Sequence, residues 1–262
     1  MALAPIAVVL AAGKGTRMAS DLPKVLHEAD GKPLVTWVLE ALAAAGIVDR
    51  IVVVGYRADL VERALAGMPG VSFALQHEQR GTGDAVAAAA DAIRARIATD
   101  TPGARRPVVI VCGDSPMLRV ESVTNLLAAW DARGASCLLG TAVTADPTGL
   151  GRIVRDTTGR FERIVEQKDA SEAERAIDEV NMSTYVFEAR DLLQALAELR
   201  PNNAAGEYYI TDCPGMLRRA GQVVDAVACL DASETLSVNT PEQLAAVAAA
   251  LKNRRTKGRV GA

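Results

Sequence analysis

The sequence predicts an α/β fold, and three observations carry that expectation. Short runs rich in Val and Ile alternate with alanine- and leucine-rich stretches of helical length, the rhythm of parallel strands joined by crossover helices. The first run, residues 6–10, leads straight into a glycine-rich turn, as the first strand of a doubly wound sheet does. After residue 145 the rhythm changes, and a turn cluster, Asp156-Thr157-Thr158-Gly159, separates two short β-type runs in the manner of a hairpin.

Each element has a local reason. Residues 6–10 form a continuous apolar run, a strand buried on both faces. Residues 33–45 read as a helix with Pro33 in its first turn and Gly46 at its end. Strand 50–54, helix 58–66 and strand 71–75 follow, then a helix over 83–97 with Thr82 as its cap. Strand 108–111 ends at Gly113-Asp114, and helix 120–133 and the run 136–143 continue the alternation. Beyond lie hairpin strands 152–155 and 161–166, strand 179–187, helix 191–199, strand 222–228 and a closing helix 241–252. The sum is a Rossmann-like three-layer α/β/α sandwich with a mostly parallel mixed sheet and an inserted β-hairpin region. At about 150 residues per domain, the 262 residues suit one domain, divided into 1–145, 146–240 and a C-terminal helix and basic tail over 241–262. Five basic residues fall between 252 and 259, and a frayed, solvated terminus is expected there.

Composition excludes several classes. Net charge is −3 and aromatic residues make up 3%, so neither a basic surface nor stacking platforms point to nucleic acid. The longest apolar stretches, residues 6–12 and 85–90, fall far short of the roughly 20 residues that span a bilayer. Residues 1–10 lack the basic start of a secretory signal, so a cytoplasmic protein with no membrane partner is expected. Four cysteines at 112, 137, 213 and 229 form no C-x-x-C pair and read as buried free thiols. Two histidines, His27 and His77, cannot build a multi-histidine metal site, and no G-x-S-x-G is present.

The most informative segment is Leu10-Ala11-Ala12-Gly13-Lys14-Gly15-Thr16-Arg17-Met18. Glycines let backbone N–H groups converge on phosphate oxygens, and Lys14 and Arg17 add charge where a polyphosphate would lie. Met18 stands where G-x-G-x-x-G needs its third glycine, and the Walker pattern is absent, so neither a dinucleotide site nor a Walker loop fits. A plain glycine turn with solvated charges remains the structural alternative. Lys24, stiffened by Pro23 and flanked by apolar residues, can extend as a point charge toward a phosphate or snorkel to the surface. Asp114 should lie at the carboxyl end of its strand beside the first loop, placed to hold a metal or to cap a turn.

The ordered series L-A-A-G-K-G-T-R-M, L-P-K-V-L-H, Gly31-Lys32-Pro33-Leu34, the 76–85 segment QHEQRGTGDA, Gly113-Asp114-Ser115-Pro116, the 146–154 segment DPTGLGRIV, the 164–170 segment IVEQKDA and residues 203–212 resembles the sugar nucleotidyltransferases. Within them it is most similar to the bacterial N-acetylglucosamine-1-phosphate uridylyltransferases, over about residues 6–245. The resemblance implies attack by a sugar 1-phosphate on the α-phosphorus of UTP, expelling pyrophosphate, with Mg²⁺ as cofactor. Such chemistry needs no histidine base, because the attacking oxygen is already anionic. By resemblance Arg17 and Lys14 hold the leaving pyrophosphate, Lys24 the α-phosphate, and Asp114 and Asn239 the magnesium; a cap for the helix at Pro241 is the other reading of Asn239. Gln76 would offer an acceptor to uracil N3–H and a donor to O4. Gly81 admits the base closely, Thr82 caps the next helix and touches substrate, and Leu10, Ala11 and Ala12 form a flat wall. Gly13, Gly15 and Gly113 line the phosphate path, and Gly151, Glu166, Asn181 and Thr211 the sugar pocket, while Tyr208 and Tyr209 read as packing residues.

Two positions depart from the family pattern. Cys112 stands where a tyrosine is usual, and Asn181-Met182-Ser183 replaces asparagine, small residue, glycine. Both adjoin the sugar side, which leaves room for another hexose 1-phosphate and hence another UDP- or dTDP-sugar. The hexapeptide repeats of the bifunctional relatives are not found in these 262 residues, so neither acetyl transfer nor trimerisation through them is expected, and the oligomeric state is left open. A silent nucleotide-sugar sensor and a cytidylyltransferase for a small alcohol phosphate are the competing functions.

Overall fold

A computed structural model describes residues 2–203 and 205–260, with side chains to residue 256. The chain opens with β1 (Ile6–Leu10), a short β2–β3 hairpin (Glu28–Ala29 and Lys32–Pro33) and α1 (Leu34–Ala44). Next come β4 (Asp49–Val54), α2 (Ala58–Ala64), β5 (Val71–Leu75), α3 (Thr82–Ala88) and α4 (Ala90–Ile97). They are followed by β6 (Pro107–Cys112), α5 (Val120–Arg133), β7 (Cys137–Val143), β8 (Gly151–Arg155), β9 (Phe161–Val165) and α6 (Glu172–Arg175). The last elements are β10 (Glu179–Glu188), α7 (Ala189–Glu198), α8 (Asp212–Arg219), β11 (Val224–Ala228) and α9 (Pro241–Val260).

One mixed sheet runs in the order β11-β7-β10-β6-β1-β4-β5, with β8 and β9 attached through β10. Strand β1 pairs in parallel with β4 and β6, Val8 facing Ile51 on one side and Ile110 on the other. β10 is the antiparallel member, between β6 and β7. Side chains alternate faces along a strand, and both faces here are covered. Ile6 and Val8 meet Ala85, Val86 and Ile93 of the α3–α4 side together with Leu192 and Leu217. Ala7 and Val9 meet Val38, Leu42, Val61, Leu126 and Trp130 on the opposite side. The three-layer α/β/α expectation therefore holds, and the expected hairpin is β8–β9, whose Ile153 and Phe161 join the first core.

Several local expectations are corrected. The helix over 83–97 breaks at Ala89, where the ladder tightens so that the Ala89 N–H bonds to Val86 O at 3.0 Å. Thr82 does not cap it, because its hydroxyl instead accepts the Ile210 N–H at 3.1 Å. The basic terminus is helix to Val260. Within it Arg254 donates to Met117 O at 2.9 Å and Arg255, though exposed, to Asp30 at 2.6 Å, so both cations are tied to the body of the protein. Val247 and Leu251 of α9 are buried against Met18, Ala29, Leu34 and Met117, fastening the last helix over the hairpin beside the first loop. Among the described residues no helix is long and apolar enough to cross a membrane.

The 80–83 segment is stapled to 208–210, with Gly83 N–H on Tyr208 O at 2.7 Å and Tyr208 N–H on Arg80 O at 2.8 Å. Gly81 lies inside this staple at φ +115°, and a Cβ there would be 2.5 Å from Tyr208 O. Backbone conformation and space both demand glycine. Gly81→Ala should lower unfolding free energy by about 3 kcal/mol, measured by urea denaturation; a loss within experimental error would contradict the staple.

Candidate functional site

The site is built where β1 and β6 end. Ala11 N–H donates to Val53 O at 2.9 Å, fixing the start of the glycine loop against β4. Gly15, at φ +68°, lies where a Cβ would be 2.6 Å from Lys24 Cβ, so glycine lets the loop fold onto the next turn. That turn is a single 3₁₀ turn, Lys24–Leu26, anchored by buried Val25 and Leu26. Lys24 is therefore aimed inward and does not snorkel: its side chain is 16% exposed and Nζ pairs with Asp114 Oδ2. The same ammonium donates to Asn239 Oδ1 at 3.0 Å, and Arg17 Nη2 donates to that oxygen at 2.8 Å.

Asp114 reaches this point because Gly113 N–H bonds to Leu10 O at 2.9 Å, pulling the end of β6 against β1. Any Cβ on Gly113 would sit 3.0 Å from Leu10 O. Asn239 arrives through Val238, whose N–H meets Asp114 O at 3.4 Å. Capping of α9 falls to Thr240, whose hydroxyl accepts Gln243 N–H at 3.3 Å, and the Asn239 side chain is left for the cluster. Arg17, Lys24, Asp114 and Asn239 are thus brought together. Two protein oxygens converge there, and no group of three or more His, Cys, Asp or Glu that could hold a metal occurs among the described residues. Two such oxygens fit Mg²⁺, which takes few protein ligands and completes its shell with water and phosphate oxygens.

Other expected residues are placed differently. Lys14 is exposed and its ammonium lies 5.3 Å from the centre of the Tyr56 ring, outside the ion-pair cluster. Ala11 and Ala12 do not form a wall with their methyl groups, because these are 1% and 4% exposed and pack in the two cores. Leu10 is only partly buried and Gly13 is exposed. Gln76 is buried, and its Nε2 donates to Asp84 Oδ2 at 2.8 Å and to Gly81 O at 3.2 Å. Both amide protons are used inside the protein, so Gln76 keeps an acceptor but has no donor for a base O4; that half of the expected pairing is corrected.

On the other side of the cleft, a cavity of about 670 Å³ is lined by Glu166, Asp169, Tyr209, Thr211 and Asp212. Thr211, at the start of α8, shares the cavity wall with Glu166. Gly151 lies flush between neighbours: a Cβ there would be 3.4 Å from Asn181 Cβ and 3.5 Å from Glu166 Oε2. Gly151 thus stands between Asn181 and Glu166, and of the four residues only Glu166 and Thr211 line this cavity. Tyr208 packs against the core but Tyr209 lines the cavity, which corrects its reading as a packing residue. Asp169 and Asp212 also line it, and in the sequence only their closeness to Glu166 and Thr211 points to them. A second cavity of about 390 Å³ is bordered by Arg17, Asn239 and the Asp146–Leu150 loop, joining the cation cluster to the start of β8.

Burial raises the Glu166 carboxyl above the ordinary glutamate range, against the opposing effect of the nearby Thr211 hydroxyl, with Asp169 and Asp212 adding to the rise. Burial likewise raises Asp212. Cys112 beside the site is pushed up to about 12, chiefly by burial, so it is an inert thiol at neutral pH. A raised carboxyl pKa means the folded state holds the proton more tightly, so its stabilising effect is present at low pH and lost as pH rises through the folded value. Glu166→Gln should therefore melt about 2–4 °C higher than the parent at pH 8, with the difference closing below the ordinary glutamate pKa; scanning calorimetry across pH reads this, and a pH-independent difference would contradict it.

A family model for MobA-like NTP transferase domains matches residues 7–209. The chain is 45% identical over 252 residues to the bifunctional protein GlmU of Brevibacillus brevis, covering 96% of this chain and 52% of that protein. It is 43% identical over 248 residues to GlmU of Pelobacter propionicus, covering 95% and 52%. The chain spans about half the length of the curated relatives it matches. Crystal structures of UDP-glucose pyrophosphorylase, apo and with UDP-glucose, superpose with TM-scores of 0.73 at 15% and 16% identity. They cover 96% of this chain and 99% or 100% of theirs, and they share its fold. The chain belongs to the family of MobA-like NTP transferase domains, and its activity is nucleotidyl transfer.

Proposed function

We propose that this chain, acting as one nucleotidyltransferase domain, transfers UMP from UTP to N-acetylglucosamine 1-phosphate, giving UDP-N-acetylglucosamine and pyrophosphate, with Mg²⁺ as cofactor. The observation that carries the reading is the convergence of Arg17 and Lys24 on Asn239, with Asp114 on the same ammonium, where β1 and β6 end. The similarity to GlmU proteins over nearly the whole chain supports the choice of nucleotide and sugar. Four free cysteines fit a reducing, cytoplasmic setting.

In this reading the phosphate of the sugar attacks the α-phosphorus and the P–O bond to the β-phosphate breaks, with both electrons leaving on pyrophosphate. Arg17, with Lys14 swung from Tyr56, neutralises the β- and γ-phosphates, and Lys24 meets the charge that builds at the α-phosphate. Asp114 and Asn239 would hold the magnesium, which would supply charge neutralisation to the phosphates. Gly13, Gly15 and Gly113 let the backbone come close to the phosphate path. Gln76 accepts from the uracil N3–H beside Gly81 and Thr82, with O4 left to backbone N–H groups at the start of α3. On the sugar side, Glu166 accepts from hydroxyls, Thr211 and Gly151 complete the wall, and Asn181 reaches the acetamido group. Cys112 and Ser183 keep a different hexose 1-phosphate as the second reading, since both depart from the family pattern on that side.

Incubation with UTP, Mg²⁺ and a panel of sugar 1-phosphates should release pyrophosphate, fastest with N-acetylglucosamine 1-phosphate. CTP in place of UTP should be poor. Fastest turnover with another hexose selects the second reading, and no release with any pair leaves only a binding module. Lys24→Ala should lower kcat by about 100-fold while changing the dissociation constant for UTP only a few-fold, read by steady-state kinetics and calorimetry; unchanged kcat would remove Lys24 from the chemical step.

A further inference from the structure

A buried cation on β8 takes no part in the chemistry above. Arg152, the second residue of that strand, is 1% exposed, and among the described residues it forms no ion pair. Its guanidinium donates to neutral oxygens instead: Nη1 to Leu150 O, and Nη2 to Gln167 Oε1 at 2.8 Å and to Arg175 O at 3.4 Å. Nε has no partner. A charge taken out of water without a counter-charge is costly to hold, so a stabilising role is a poor account of it. What the group joins is more informative.

It joins the open end of the β8–β9 hairpin. The ladder between the two strands ends with Arg152 opposite Val165, and beyond that pair the chains running to Gly149 and to Gln167 have no further rung between them. Gln167 Oε1 takes the place of a rung, accepting from Arg152 and also from Gly149 N–H at 3.2 Å. Past Glu166 the chain turns back on itself, with Asp169 and Ala170 N–H on Glu166 O at 2.9 and 3.0 Å. The third acceptor, Arg175 O, belongs to the last residue of α6, on the way to β10. One planar group thus ties residues 149–151, the 166–170 turn and the end of α6 together. Two of these segments carry cavity walls: Glu166 and Asp169 line the cavity of about 670 Å³, and Gly149 and Leu150 border the one of about 390 Å³ that also touches Arg17 and Asn239. A guanidinium presents its donors in a rigid plane and can meet such separated oxygens at once, whereas an ammonium is a point charge on a flexible stem.

We propose that Arg152 is a positioning residue whose fork holds the walls of these two cavities at a fixed separation, and that binding of the sugar 1-phosphate, but not of the nucleotide, depends on it. The inference rests on the sugar-phosphate reading given under the proposed function and goes beyond it in assigning the shape of the sugar side to a buried arginine.

Arg152→Lys keeps the charge and loses the fork. Hydrogen exchange of the full chain should become faster at residues 149–151 and 166–170, with β1, β4 and β6 unchanged. Steady-state kinetics should show the KM for N-acetylglucosamine 1-phosphate raised about tenfold. The kcat and the KM for UTP should stay within about twofold of the parent. Gln167→Leu, which removes the shared acceptor while leaving the guanidinium in place, should shift the same KM in the same direction, and it carries the test if the lysine variant fails to fold. A general packing defect would instead move kcat, both KM values and the melting temperature together, and that result, or an unmoved sugar-phosphate KM in a folded variant, overturns the proposal. With an active parent, unaltered exchange at 149–151 and 166–170 defeats the Arg152 role alone, whereas a parent inactive on every sugar phosphate defeats the sugar reading and this inference with it.

Discussion

The Lys24 ammonium, paired with Asp114 and hydrogen-bonded to Asn239, is the contact on which the functional architecture depends. It ties the turn after the glycine loop, the end of β6 and the entry to α9 into one place. Each of the three has its own anchor: Val25 and Leu26 in the core, Gly113 against Leu10, and α9 packed by Val247 and Leu251 on the hairpin and loop. An ion pair on the surface contributes little to stability. This one is largely shielded, and its value is positional, since it holds a cation and two oxygens at the place where the proposed function puts the triphosphate and its counter-ion.

The sheet explains why that place exists. In an open parallel sheet the carboxyl ends of neighbouring strands form a crevice, and β1, β4 and β6 lie side by side with every strand end on the same rim. Antiparallel β10 then brings a different set of side chains to the far side, and the β8–β9 hairpin attached to it adds Gly151 and Glu166. The proposed function draws its phosphate side from the parallel part of the sheet and its sugar side from the antiparallel part.

Much of this was legible in the sequence where a single physical signal dominates. Continuous Val and Ile runs fix β1, β4 and β6 because a strand covered on both faces has no polar side to show. The glycine loop and Asp114 follow from strand ends. What escaped depends on contacts between distant residues. α8 carries Pro214 and Gly215, poor helix formers, yet it forms because proline is tolerated in a first turn and Cys213 and Leu217 are buried in the core. For Asn239 a helix-cap reading stood close behind the metal reading, and only the folded chain shows that Thr240 takes the cap. The lost donor of Gln76 depends on Asp84 swinging back across a turn, and the docked tail depends on Asp30 and Met117, partners that no local pattern reveals.

A crystal structure with UTP and Mg²⁺ bound tests the central claim most directly. The account predicts the triphosphate along the Gly13–Arg17 turn, its oxygens on Arg17 and Lys24, with the ion between Asp114 and Asn239. A nucleotide bound elsewhere, with the Lys24 ammonium still on Asp114 and no phosphate near it, would contradict the account.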